Sequence, residues 1–151
     1  MRRQDLALTP EEAVAIIDEI QFAILCLTDP TGLPYGVPMD YVRDGNSLYF
    51  HGSQEGRKVN SMKTLPKGCA VIIGENEIVP HKFGRQYKSV IVEGKIELID
   101  EPEIKRQVMT WVVKRKSPDH FEKGQMVIEK MLDRVLVYKM NMETISGKHG
   151  L

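Results

Sequence analysis

The chain has 151 residues, 42% of them hydrophobic and 28% charged, with 21 Lys plus Arg balanced by 21 Asp plus Glu. This length suits one domain around a single core, here taken as 1–151, and the composition is too apolar for a disordered chain. A formal net charge of zero removes the electrostatic case for nucleic acid or a membrane surface as the main partner, while leaving room for a local basic cluster that holds a small anion.

The N-terminal MRRQDLALTPEEA has charge but no apolar stretch of the kind a signal peptide needs. No apolar run approaches the ~18 residues of a membrane span. A cytoplasmic location is therefore expected. Thr9-Pro10-Glu11-Glu12 reads as a helix start: a capping hydroxyl, a proline in the first turn and two acids at the positive end of the dipole. The helix should stop near Gln21. A buried strand is expected over 22–28, a turn at Asp29-Pro30-Thr31-Gly32, and a second strand over 33–43 that carries Pro34 and Pro38. Asp44-Gly45-Asn46 predicts a hairpin turn, and 47–51 a third strand.

Val59, Met62 and Leu65 share one helical face after the loop GSQEGRK, and Pro66 closes that helix. Strands follow over 69–74 and 87–99, with 75–86 read as irregular. Helices are expected from about 100 to 116 and over 121–132, and a last strand over 135–145. Six strands joined mostly by short turns, without regular strand–helix alternation, predict a mainly β, antiparallel barrel or sandwich with peripheral helices. Cys26 and Cys69 sit in apolar strand-like runs and read as buried free thiols. They are too few for a disulfide framework or a metal site, and His81, His120 and His149 have no ligand spacing with them or with each other.

Three segments carry candidate chemistry. At His51-Gly52-Ser53-Gln54-Glu55-Gly56-Arg57-Lys58 a strand ends, two glycines loosen the chain, and a helix begins beside two adjacent cations. Free N–H groups at a helix start suit a phosphate. Arg57 can grip phosphate oxygens with two parallel bonds, Lys58 adds a compact charge, and Ser53 a hydroxyl. Cations are unfavourable at that end of a helix, so the pair asks for an anionic partner.

The second segment is Gly36-Val37-Pro38-Met39-Asp40-Tyr41-Val42. A strand bearing Pro38 cannot be fully paired, so a flat heterocycle could use its free edge, with Met39 and Tyr41 against its faces. The third, Tyr87-Lys88-Ser89-Val90, offers one cation and one hydroxyl at a strand start. A surface loop, an edge strand and a surface strand are the plain readings of the three.

Together these segments resemble the pyridoxamine 5′-phosphate oxidase-like flavoproteins, nearest to the nitroimidazole-resistance branch. The matching stretches are LTPEEAVAIIDEIQFAILCLTDPTGLPYGVPMDYV, LYFHGSQEGRKVNSMKTLPKGCAVI, YKSVIVEGKIELI and METISGK, nearly the whole chain. The resemblance implies a six-stranded split β-barrel, a homodimer with FMN at the subunit interface, and a small-molecule substrate. It places Pro38, Met39, Asp40, Tyr41 and Val42 along the flavin ring, His51, Gly52, Ser53, Arg57 and Lys58 at the ribityl phosphate end, and Lys88 and Ser89 as completing the phosphate site. His51 is similar to the histidine near the flavin in that branch, which makes it the candidate catalytic residue. The implied activity is an FMN-dependent oxidoreductase acting on small electron-poor compounds such as nitroaromatics. The alternatives are a non-catalytic flavin carrier or sensor, or a split barrel that binds haem or a deazaflavin; haem would need His51, His81 or His120 as axial ligand.

Overall fold

The computed structural model describes residues 3–151. The first helix, α1 (Pro10–Ile20), starts where the sequence places it: Thr9 Oγ1 accepts from the Glu12 N–H at 3.2 Å, and the Glu12 carboxylate accepts from the Thr9 N–H at 2.8 Å. This reciprocal cap satisfies two end groups that the helix itself cannot. The helix buries Ala13, Ile16 and Ile17, and ends at Gln21 in a left-handed conformation, φ 50°. There β1 (Phe22–Thr28) begins and alternates an inward face, Ala23, Leu25 and Leu27, with an outward one.

The turn into β2 (Pro34–Asp44) is organised by Asp29, whose carboxylate accepts from the Thr31 N–H at 2.9 Å and the Leu33 N–H at 3.0 Å. The chain continues through β3 (Ser47–Ser53), α2 (Arg57–Thr64), β4 (Lys67–Val79), β5 (Gly84–Ile99), α3 (Pro102–Lys116), α4 (Phe121–Met131), β6 (Val135–Asn141) and β7 (Thr144–Gly150). All pairings between these strands are antiparallel.

The strand order is β4-β1-β2-β3-β6-β5-β7, with β4 also paired to β5. Six strands thus close a ring, and β7 lies outside it along β5. The split barrel expected from the sequence is present, with seven strands in place of six. Its interior holds Leu25, Leu48, Phe50, Ile72, Val90, Val92 and Tyr138, all almost fully buried. A second, smaller core sits on the outer side of β2, β3 and β6, where Val42, Val108, Val137, Tyr49 and Trp111 pack under α3.

Two expectations are corrected. Residues 75–86 are not irregular: β4 runs on to Val79 and β5 starts at Gly84, paired from Asn76↔Tyr87 to Val79↔Gly84 after a register shift beyond Ile73. This hairpin projects from the body, with Ile78 68% and Phe83 99% exposed, so no buried face imposes an alternating pattern on it. The last strand also breaks. Met142 and Glu143 carry the chain from β6 across to β5, the Glu143 N–H donating to Glu93 O at 3.0 Å, and the residues after them form β7.

Candidate functional site

The ladder between β2 and β3 covers only Asp44↔Ser47 to Tyr41↔Phe50. Beyond that point the strands diverge. Residues 34–40 of β2 pair with β1 instead, and residues 51–53 of β3 pair with β6. The result is a fork with Tyr41 and Phe50 at its base, Asp40 back to Pro34 along one arm, and His51, Gly52 and Ser53 along the other. The edge of β2 facing the fork has no strand partner among the described residues, in keeping with Pro38 there. Five residue steps separate Asp40 from Tyr35, about 17 Å of extended chain.

Near the base, Lys116 from the last turn of α3 donates to the Asp40 carboxylate at 2.5 Å. His51 is beside this pair and half-buried. Burial lowers its pKa below the ordinary imidazole value; Asp40 opposes that shift and Lys116 adds to it. Its Nδ1 is buried without a hydrogen-bond partner among the described residues, a state that native cores mostly avoid.

Next along the same arm, Gly52 is hemmed in. A β-carbon there would lie 2.9 Å from the Tyr138 hydroxyl and 3.0 Å from Lys58 Cε. The Tyr138 hydroxyl is fixed by donating to Ser53 O at 2.6 Å, and burial raises its pKa to about 12. Only a residue without a side chain lets Lys58 lie over the strand here. Gly56 then turns the chain into α2 with φ 114° and no side-chain cap, so the first N–H groups of α2 receive no capping side chain.

At the open end, Arg57 reaches across. Its guanidinium stacks over the Tyr35 ring, 4.3 Å from the centroid, and donates to Asp29 Oδ2 at 2.7 Å. The Thr31 hydroxyl, and then Arg57, hold the Asp29 carboxyl well below the usual carboxylate range. The anionic partner that two adjacent cations asked for is therefore supplied to Arg57 by Asp29, while no ion pair engages Lys58 among the described residues.

The other expected site residues divide clearly. Asp40, His51, Gly52, Ser53, Arg57 and Lys58 line the fork. Pro38 is exposed on the β2 arm, and Met39 packs partly into the barrel core. Tyr41 and Val42 contribute side chains to the two cores instead of the fork: Tyr41 is 1% exposed and donates to Ile17 O at 2.6 Å. Lys88 and Ser89 lie elsewhere. Ser89 pairs with Ile73 of β4 and Lys148 of β7, three strand spacings or about 14 Å around the sheet from β2. Lys88 faces Glu75 at 3.9 Å. One subunit does not bring them to the fork.

Sequence reasoning missed Lys116, Tyr138 and the cavity behind His51. This cavity, of about 550 Å³, lies between α3, α4 and the barrel, and Met109, Val113, Ile128 and Val135 are among its apolar walls. A lysine in the last turn of a helix reads as an ordinary partner of the dipole, so nothing in the sequence marked Lys116. Cys26 and Cys69 are free thiols facing each other across β1 and β4, partly exposed on the outward face of the sheet and not buried as expected. Burial, with Cys26 as neighbour, pushes Cys69 up to about 11. Among the described residues no cluster of ligating side chains could hold a metal ion, and no helix is long and apolar enough to cross a membrane.

The family model described as pyridoxamine 5′-phosphate oxidase matches residues 9–149. An uncharacterized protein of Rhizobium meliloti is 30% identical over 93 residues, a match spanning 60% of this chain and 57% of that relative's length. Among solved structures, a candidate 5-nitroimidazole antibiotic resistance protein from Bacteroides thetaiotaomicron superposes with a TM-score of 0.78 at 22% identity, over 95% of this chain and 86% of its own. A flavocytochrome from Azotobacter vinelandii superposes with a TM-score of 0.85 at 23% identity, over 100% of this chain and 72% of its own. At these identities the structural likenesses establish the fold alone.

Proposed function

The chain belongs to the pyridoxamine 5′-phosphate oxidase family, and from that membership we propose that it binds FMN in the fork between β2 and β3 and reduces small electron-poor compounds such as nitroaromatics. The observation that carries this reading is the run Gly52–Ser53–Lys58. A strand position that admits no side chain and an ammonium without an ion-pair partner among the described residues, at an uncapped helix start, follow one another along one arm.

Ser53, Lys58 and the first N–H groups of α2 would hold the phosphate, with Arg57 as an additional donor if it leaves Asp29. The free edge of β2 from Pro38 to Asp40 would face the ring. His51 would present the Nε2 edge of a neutral imidazole beside it, near the Asp40–Lys116 pair, as a hydrogen-bond partner. When bound, the flavin supplies the redox chemistry; the chain supplies position, hydrogen bonding and access.

The homodimer belongs to the same proposal. On the outward face of the sheet, Ile24, Val71 and Ile91 stand in one cross-strand row, with Phe22 47% and Ile73 50% exposed beside it. An apolar sheet face of this kind favours cover by a second copy. Ser89 shares that outward face with Ile91, so dimer formation there would bring Ser89 to the subunit interface.

The test mixes FMN-loaded protein with a reduced nicotinamide donor and a nitroaromatic acceptor, and follows loss of the nitro absorbance. Many turnovers per protein support the enzyme. Stoichiometric FMN without turnover, for every donor tried, leaves a flavin carrier. A specific observation also favours haem as a second reading: of the three histidines able to act as axial ligands, His51 and His120 line the same apolar cavity, and one structural relative is a flavocytochrome. An intense band near 400 nm in the purified protein would decide for it.

A further inference from the structure

We infer that the cavity behind His51 binds an organic monoanion with an apolar body, an aryl or short-chain alkyl carboxylate being the simplest case. The site is separate from the phosphate cradle and is complete within one subunit, so the inference does not rest on the flavin reading. Its volume of about 550 Å³ lies within the range of small-molecule sites. The greater part of its wall comes from α3, α4 and the start of β6, and consists of methionine and branched aliphatic side chains, which fixes the body as apolar.

The polar part of the wall is selective in sign. It consists of His51, Ser117, His120 and Lys123, with no carboxylate among the lining residues. Neighbouring cations are already engaged: Lys116 by Asp40 at 2.5 Å, and Lys114 over the Phe121 ring at 5.7 Å. Lys123 has no ion-pair partner, and the His120 imidazole has no hydrogen bond, among the described residues. The inner end adds His51, whose Nδ1 is buried and unpartnered. A ligand oxygen would satisfy that nitrogen, and a negative charge would be complementary to Lys123 at the wall. A neutral apolar guest would leave both as they are.

The experiment is calorimetric titration of the full-length protein, as purified and again after saturation with FMN, using 4-phenylbutyrate and its neutral counterpart 4-phenyl-1-butanol. The acid is expected to bind in both preparations, and the alcohol about fivefold more weakly. Lys123→Gln should bring the acid down to the alcohol's affinity and leave the alcohol unchanged. Val127→Trp, at a half-exposed lining position, should remove both without unfolding the chain. Equal binding of acid and alcohol, no effect of Lys123→Gln, binding that survives Val127→Trp, no binding of the acid at millimolar concentration, or loss of binding when FMN is added would each overturn the inference. If FMN itself fails to bind, the flavin reading falls while this one stands on its own titration.

Discussion

Lys116, in the last turn of α3, donates to Asp40 on β2 at 2.5 Å, and this ion pair fastens the helical layer to the barrel beside His51. The histidine senses both charges. Asp40 favours its protonated form and Lys116 disfavours it, while burial outweighs either. Replacing Lys116 by Met should therefore raise the His51 pKa, and Asp40→Asn should lower it. Titration of the imidazole resonances by NMR checks both signs. A shift in the same direction for both variants would mean that the imidazole responds to a packing change and not to these charges.

The arm of the fork should tolerate no side chain at Gly52. In Gly52→Ala the new methyl would meet the Tyr138 hydroxyl and Lys58 Cε. The hydroxyl is anchored on Ser53 O, so Lys58 is the group that gives way. The expected result is FMN affinity reduced about tenfold, with the fold retained and Tm lowered by only a few degrees. Fluorescence titration of the flavin and a thermal melt measure the two effects separately.

Arg57 and Lys58 should not contribute equally. Arg57 is held by Asp29 and Tyr35, and an anion must compete for it. Lys58 has no such partner among the described residues. Lys58→Ala is expected to weaken FMN by about tenfold or more, and Arg57→Ala by clearly less. Asp29→Asn should strengthen FMN binding by releasing Arg57. A larger loss in Arg57→Ala than in Lys58→Ala would reverse the assignment.

These relations mark where the sequence was legible and where it was not. Thr9, Pro10 and Glu12 determine the start of α1 through local hydrogen bonds, and Asp29 determines its turn in the same way, so both could be read from a few neighbours. The loop from His51 to Lys58 announced itself by two glycines and two cations. The 75–86 hairpin was illegible because both its faces meet solvent, which leaves no periodicity. The strand β7 was illegible because TISGKHG, with two glycines, has little strand preference of its own and forms by pairing with β5. The inward turn of Tyr41 and the position of Lys116 depend on contacts more than twenty residues away in the chain, and no local pattern carries them.

Stability should depend on pH through His51. Its folded pKa lies below its unfolded value because burial disfavours the charged ring. The unfolded chain therefore takes up a proton first as pH falls, and stability decreases from about pH 6.5 down to the folded value, below which this contribution levels off. Melting curves between about pH 8 and 5 should show this decline in the parent protein, and a smaller one in His51→Leu. Identical pH profiles would remove His51 as the linked group.

The outward sheet face supplies a further prediction. Ile91→Asp places a charge in the middle of the Ile24–Val71–Ile91 row. Light scattering should show a dimer for the parent and a monomer for the variant, because burying an unpaired charge is strongly unfavourable. Cys26 and Cys69 lie in the adjacent row, so a thiol reagent should label them slowly in the dimer and faster in the monomer. A monomeric parent would contradict the assembly.

The central claim is that the fork between β2 and β3 is a flavin site, and the most direct measurement is the absorbance spectrum of the purified protein with the released cofactor identified by mass. The purified protein should show a band at about 450 nm and FMN at about one per chain, falling sharply in Lys58→Ala. A colourless protein that takes up no added FMN would contradict it, and would leave Lys58 and the start of α2 to bind some other anion.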